Sequence, residues 1–294
     1  MLTIFTIPKT FQGHNRIIQL NAIRSWMQLS PRPTIIFLGN DAGTAEIAAE
    51  LGMPHYPEVA VNEYGTPLIS SVFSLGVRYA ATEIVCYVNA DIILLNDFLP
   101  AIGRVERKLF LIVGRRWDLD VDSLIDYENP DWEKQLREQL TQKGVLHPAS
   151  GIDYFCFPRS LYENIPPFAI GRGSWDNWLL YRARELRVPV IDATGTITAV
   201  HANHDYAHLK DGAPHFTKNV EMKPNLDIAG GPNHLLSLDY ATHLLTGTDV
   251  KRALTLRHLY FRLRAFFMLH RVLNSCLSIF QILEKAAAAL RRPR

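Results

Sequence analysis

The chain has 294 residues, 48% of them hydrophobic, enough to bury a substantial core as one large domain or a domain with an appendage. Its formal charge of +2 hides an asymmetry: residues 1–250 hold 21 Lys and Arg against 28 Asp and Glu, whereas residues 251–294 hold 10 against 1. Three cysteines, Cys86, Cys156 and Cys276, odd in number and far apart, exclude a disulfide framework and a C-x-x-C metal or redox motif, and no apolar run approaches the roughly 20 residues of a bilayer span.

The first residues, "MLTIFTIPKTF", have no basic region before their short apolar run and read as a core strand, not a signal peptide. A reducing, cytoplasmic compartment is the expectation. "NRIIQLNAIRSWMQL" follows with apolar residues at helical spacing, and Pro31 and Pro33 stop it. "TIIFLGN", the turn "DAGT", the helical "AEIAAELG" and a short "MPHYPEV" continue the alternation. Thr66 and Pro67 predict the N-cap and first position of a helix over "PLISSVFSLGVRYA". The strand "EIVCYV" then runs into "NADIILLNDF". Strands alternating with helices imply parallel pairing and right-handed crossovers, hence an α/β sheet over roughly the first 115 residues.

The middle is less regular. "KLFLIVG" and "GIDYFCF" read as strands, and "NPDWEKQLREQLTQKG" as a charged surface helix. "SWDNWLLYRARELR" reads as a helix that Ser174 caps, and "VPVIDATGTITAVHA" as one or two strands. With no linker or repeat, these extend the same sheet to about residue 250.

In an open parallel sheet, ligands bind outside the carboxyl ends of the strands. Three such ends carry polar groups: Pro8 and Lys9 after the first strand, Asn40 and Asp41 after the second, Asn89 and Asp91 after the fourth. A carboxylate held there by rigid backbone suits a hard divalent cation, although an Asp also simply begins turns. Walker A and G-x-G-x-x-G loops are absent, so a phosphate would be held by other means.

The order of elements ending in "YVNADIIL" resembles the nucleotide-sugar-binding half of GT-A-fold glycosyltransferases of the family-two-like kind, over about residues 1–245. "NEYGTPLISSVFSLGVRYA" resembles the segment leading into their D-x-D motif, which "NAD" departs from by having Asn89 for the first acid. "GRGSWDNWLL" resembles their acceptor-side motif, and "VHANHDYAH" lies where many supply a metal-binding histidine. The resemblance implies a GT-A-like (Rossmann-like), mostly parallel sheet flanked by helices. It also implies transfer of a sugar from a nucleotide-diphosphate donor to a hydroxyl of a glycan or lipid-linked glycan, with Mn²⁺ or Mg²⁺ neutralising the departing diphosphate.

Within that reading Asp91 holds the ion, with Asn89 accepting through its carbonyl or touching the ribose. Six of the eleven histidines fall between His201 and His243. His201, which follows the strand "TITAV", is the preferred second ligand and His204 the next, a mixed set that favours manganese; a zinc triad of His201, His204 and His208 and plain loop histidines are the alternatives. Asp176 is the expected base, which would invert the anomeric centre. Trp175 and Trp178 beside it are either stacking faces for a sugar or core residues. Arg172, and less so Arg115 and Arg116, are expected to meet phosphate, while pairing with Asp118, Asp120 and Asp122 explains the last two equally well.

From Thr255 a basic amphipathic helical extension follows. Leu256, Leu259, Leu263, Phe266, Leu273, Leu277 and Phe280 form a stripe, and Arg257, Arg264 and Arg271 recur every seven residues. The tail 251–294 is expected to meet an anionic membrane at its inner face, the body, or a second copy through 255–283. Nucleic acid is not expected, since the body is acidic. The rival functions are a nucleotidyltransferase, which would show a glycine-rich basic loop after the first strand, and a silent sugar-binding scaffold.

Overall fold

The structure is a computed structural model that describes residues 2–203 and 220–270. The first half follows the alternation expected: β1 (Leu2–Thr6), α1 (Gly13–Gln28), β2 (Thr34–Leu38), α2 (Thr44–Leu51), β3 (His55–Tyr56), α3 (Ile69–Tyr79) and β4 (Ile84–Val88). Shorter pieces come next: β5 (Ile92–Leu94), α4 (Phe98–Gly103), β6 (Leu111–Val113), β7 (Trp117–Leu119), α5 (Trp132–Lys143), β8 (Val145–Leu146) and β9 (Tyr154–Pro158). The remainder comprises α6 (Trp175–Glu185), β10 (Val190–Asp192), β11 (Ala199–Ala202), α7 (Met222–Ala229), β12 (His243–Leu245), β13 (Val250–Arg252) and α8 (Leu256–Leu269).

Among the described residues the strands form two sheets. The larger has nine strands in the order β13-β12-β10-β6-β9-β4-β1-β2-β3 and the smaller four in the order β5-β11-β7-β8. In the larger, β4, β1, β2 and β3 pair in parallel, as do β6, β10 and β12, but β9 runs antiparallel to both β4 and β6. That reversal has a consequence for the site: the amino end of β9 lies at the same edge as the carboxyl ends of β4 and β6.

Successive side chains of a strand face opposite ways, so a strand buried on both sides reads as one apolar run. In β4, Cys86 and Val88 enter a core with α1, α2, α4, α5 and the small sheet, while Val85 and Tyr87 enter another with α3, α6, α7 and α8. The chain therefore has helices on both faces of the large sheet.

Two helix starts differ from expectation. The helix after Pro67 begins two residues later, at Ile69, because Pro67 and Leu68 form bridges to Val61 and Ala169. The extended backbone imposed there, with Leu68 at φ −97° and ψ 127°, leaves Thr66 no helix to cap. At α6 the Ser174 hydroxyl makes no capping bond, and Ser174 sits at φ 70° after Gly171 and Gly173, both at φ 68°. The sharp left-handed turn sets the direction of α6 and replaces the cap.

α3 packs on β1 at its glycine. A Cβ at Gly76 would lie 2.3–2.7 Å from the ring of Phe5, which is wholly buried and wedged edge-on against Phe73 and Tyr87 at 5.3 and 5.6 Å. Gly76→Ala is therefore expected to lower stability by about 1–3 kcal/mol through overpacking, against a helix-propensity gain of about 1 kcal/mol. Urea unfolding checks this, and a variant as stable as the wild type would show that Phe5 has room to move.

Candidate active site

The polar residues after β4 occupy a turn between the two sheets. The Ile92 N–H donates to the Asn89 carbonyl at 3.1 Å, so the chain leaves the large sheet at Val88 and enters the small one at Ile92. α1 fixes the far side of this turn: the Trp26 indole donates to the Ile92 carbonyl at 2.8 Å, and the Leu94 N–H to the Ser25 hydroxyl at 3.0 Å. Asp91 is thereby held with 8% of its surface exposed.

An ammonium and an imidazole converge on it. Lys9 Nζ lies 3.8 Å and His201 Nε2 3.9 Å from Asp91 Oδ2. Lys9 is placed through its backbone, since the buried Gln19 of α1 accepts from its N–H at 2.7 Å and donates to its carbonyl at 3.0 Å. His201 is placed by register: it lies opposite Ile92 on β5 and opposite Asp118 on β7.

Beside Asp91 runs a chain of polar contacts across both sheets. Tyr87 donates to the Asn89 amide oxygen at 2.8 Å, and the Asn89 amide nitrogen donates to Asp153 at 2.8 Å. Arg116 donates to Asp153 at 2.7 Å and to Asp118 at 2.9 Å. His147 Nδ1 lies 2.7 Å and His201 Nδ1 3.4 Å from Asp118, the second long for a hydrogen bond. Burial pushes the Asp118 carboxyl up, but contacts from His201, His147 and Arg116 outweigh it and hold its pKa far below the usual carboxylate range. Burial likewise opposes the charge of Arg116, and its two carboxylates overcome that and raise its pKa further.

These contacts revise several expectations. Asn89 has both side-chain atoms engaged inside the protein, where it serves as a brace between Tyr87 and Asp153. Arg116 is an internal ion-pair partner, and Arg115 donates to the carbonyls of His147 and Leu146. Arg172 pairs with Glu221 at 2.7 Å, within a clasp that also includes Asn62.

Trp175 is not a sugar platform: with 5% exposed, it packs edge-on to Tyr87 and Phe73 at 5.6 and 6.3 Å and against Phe155. Trp178 is also buried and meets Phe168. Their large apolar faces favour the core, and Trp175 thereby anchors the start of α6 to the strand ends. At that start Asp176 faces the polar chain. Burial pushes its carboxyl up to about 7, aided by the charge of Asp153 and opposed by the N–H groups of Asn177 and Asp176 itself and by Arg116. Its residue surface is half-buried, but Oδ1 is sealed from solvent with no hydrogen-bond partner among the described residues.

Asn40 and Asp41 stand exposed at the rim with Pro8 buried behind them, and the Phe11 N–H bonds the Ala42 carbonyl at 2.9 Å and ties the two loops together. Asp41 is raised by partial burial and lowered by the Thr10 backbone N–H. His204, His208 and His215 lie outside the described residues, as does the tail beyond 270.

Asp91 and His201 offer one carboxylate oxygen and one imidazole nitrogen, a donor pair suited to manganese. Among the described residues no group of three or more His, Cys, Asp or Glu side chains is placed to hold an ion unaided. The pair fits an ion whose remaining ligands are diphosphate oxygens and water.

Gln19, Asp118, His147 and Asp153 went unread as site residues. Asp153 had a signal, an acid directly before an apolar strand, which points to the site once that strand is antiparallel.

No family model and no curated protein matches the chain. Among solved structures, GalNAc-T7 with UDP, GalNAc and Mn²⁺ is similar at 12% identity over 78% of this chain and 48% of its own, with a TM-score of 0.49. Glucosyl-3-phosphoglycerate synthase from Mycobacterium tuberculosis, with Mn²⁺, UDP and glucosyl-3-phosphoglycerate, is similar at 17% identity over 79% and 81%, with a TM-score of 0.47. S. aureus TarS is similar at 10% identity over 69% and 57%, with a TM-score of 0.41. The chain thus spans about half the length of GalNAc-T7.

The raised Asp176 predicts a pH signature. Its folded pKa of about 7 lies above the 3.8 of an open Asp, so the folded chain binds the proton more tightly and loses stability as pH rises between those values. The full shift corresponds to about 4 kcal/mol, which the residue's partial exposure reduces to roughly 1–3. Relative to Asp176→Asn, the wild type should lose that amount between about pH 4 and pH 8 in urea unfolding. A gap that stays constant with pH would place Asp176 in ordinary solvent.

Proposed function

We propose that the chain is a GT-A-fold glycosyltransferase that moves a sugar from a nucleotide-diphosphate donor to a hydroxyl acceptor, a glycan or lipid-linked glycan, with Mn²⁺ or Mg²⁺ as cofactor. The observation that carries this reading is the convergence of Lys9 and His201 on buried Asp91 at the carboxyl edge of parallel strands. In the reaction the bond from the anomeric carbon to the diphosphate breaks, and the acceptor oxygen forms the new bond. When bound, the divalent ion supplies positive charge to the departing diphosphate. Asp91 and His201 would hold it, with His204 as a further ligand.

Lys9 adds a second positive charge at the same place, where it would stabilise negative charge that develops on the diphosphate during bond breaking. Asp176 accepts the proton of the attacking hydroxyl. A carboxyl with a pKa of about 7 is matched to that task near neutral pH, and direct attack with such a base inverts the anomeric centre. Asn40 and Asp41, with Pro8 behind them, line the rim where the nucleoside would lie. Residues 1–250 form the transferase unit in this reading and 251–294 an appendage.

A panel of UDP- and GDP-sugars tests the assignment by donor turnover. Asp91→Ala is expected to abolish metal-dependent nucleotide stabilisation in thermal shift. Asp176→Asn should keep it and lose turnover by about 100-fold or more, as for a removed general base. Full turnover in Asp176→Asn would remove the base role, and no metal-dependent shift in the wild type would favour the scaffold reading.

The appendage has its own surface. α8 docks on the body through Ala265 and Met268, leaving Leu256, Leu259, Leu263 and Phe266 exposed by 87, 46, 52 and 46%. Exposed cations Lys251, Arg252, Arg257 and Arg262 border this stripe. We read it as contact with an anionic lipid surface, where apolar burial and basic charge act together. The full chain should float with vesicles containing phosphatidylglycerol but not with pure phosphatidylcholine, and Leu259→Ser with Leu263→Ser should abolish flotation. A concentration-dependent dimer lost in that variant would instead identify a second copy as the partner.

A further inference from the structure

We propose that Asp118 is a positioning residue that fixes His201 in the form that presents Nε2 toward Asp91. This rests on the metal-dependent reading above, in which His201 and Asp91 share an ion. In a neutral imidazole one ring nitrogen carries the proton and the other the lone pair, and a ligand to a metal needs the lone pair. Which nitrogen is free is decided by what the opposite one touches.

The small sheet decides it here. β7 and β11 run parallel with Asp118 directly opposite His201, and β5 places Ile92, next to Asp91, on the other side of His201. The ring therefore spans from one carboxylate to the other: Nδ1 lies 3.4 Å from Asp118 Oδ1, and Nε2 3.9 Å from Asp91 Oδ2. Both carboxylates offer only acceptors, and Asp118 is the nearer, at 3.4 Å against 3.9 Å, so Nδ1 is the nitrogen that keeps the proton when an ion takes Nε2.

Asp118 is kept available as an anion by groups other than His201. Arg116 donates to Oδ1 at 2.9 Å and His147 approaches Oδ2 at 2.7 Å. Because a carboxylate offers about four lone-pair sites, these contacts leave room for His201. His201 is 7% exposed, so water is a poor substitute for Asp118. Ligation at Nε2 would withdraw charge from the ring and make Nδ1–H a stronger donor, so the 3.4 Å contact strengthens with metal bound.

The test uses the full chain and two readouts. Nitrogen-15 spectra of the histidine rings, recorded without metal above the His titration, report the tautomer of His201. Electron paramagnetic resonance with UDP or GDP present reports Mn²⁺ affinity. The wild type should show His201 protonated at Nδ1, and Asp118→Ala should show mixed tautomers and an Mn²⁺ affinity about 10–100-fold weaker. His147→Ala, which leaves the His201 contact in place, should keep the wild-type tautomer and affinity.

An Asp118→Ala protein with the wild-type tautomer and an affinity within about twofold would overturn the proposal, because the expected loss is at least tenfold. Should that variant fail to fold, Asp118→Asn, of the same shape, carries the same two readings: its neutral acceptor should weaken Mn²⁺ binding, and no change in either readout would count against Asp118. A wild type that binds no Mn²⁺ with nucleotide fails the metal-dependent reading itself, and the proposal with it. A wild type that binds well beside an indifferent Asp118→Ala fails only the positioning role.

Discussion

The guanidinium of Arg116 holds Asp118 on one edge and Asp153 on the other, with its side chain 12% exposed and theirs 21 and 8%. Two carboxylates this close to each other and this far from water would repel and resist ionisation. Leaving one such buried charge unpaired costs about 3–5 kcal/mol. Much of the site hangs from this pairing. Asp153 reaches Asn89 by side chain and by backbone, which sets the turn that carries Asp91. Asp118 reaches His147 and His201, which sets the opposite wall. The large and small sheets thus meet through one cation and its two anions.

That dependence explains which parts of the site are legible in the amino-acid sequence. Parallel strands buried on both faces announce themselves as apolar runs, so the order from β1 to β4 is readable, and with it the strand-end position of Asp91. His201 is legible only in part, since it lies inside β11 of the small sheet and not after a strand "TITAV". Asp118 is not, because its importance depends on β7 lying beside β11, and three- or four-residue strands carry too little periodicity to fix a partner. Asp153 is hidden by direction: a search of carboxyl ends passes over it, yet the antiparallel β9 brings its amino end to the same edge.

Two further features share another cause, which is that local chemistry does not reveal which way a side chain turns. Trp175 sits beside Asp176 in the chain, but at the start of α6 it turns inward, against Tyr87, Phe73 and Phe155. Thr66-Pro67 has the composition of a helix start, yet bridges to Val61 and Ala169 hold the segment extended until Ile69. In both, tertiary contacts override a local preference worth only about 1 kcal/mol.

The same contacts account for an amide at position 89. Its nitrogen donates to Asp153 and its oxygen accepts from Tyr87, two roles that a carboxylate cannot fill together because it has no N–H. Two of the same groups act on the Asp176 carboxyl. Asp153 already raises that carboxyl and Arg116 lowers it, but Arg116 is largely neutralised by its own two partners. Asp118 and Asp176 thus hold protons oppositely, the first ionised by three cationic or imidazole contacts, the second raised by burial that backbone N–H groups only partly offset.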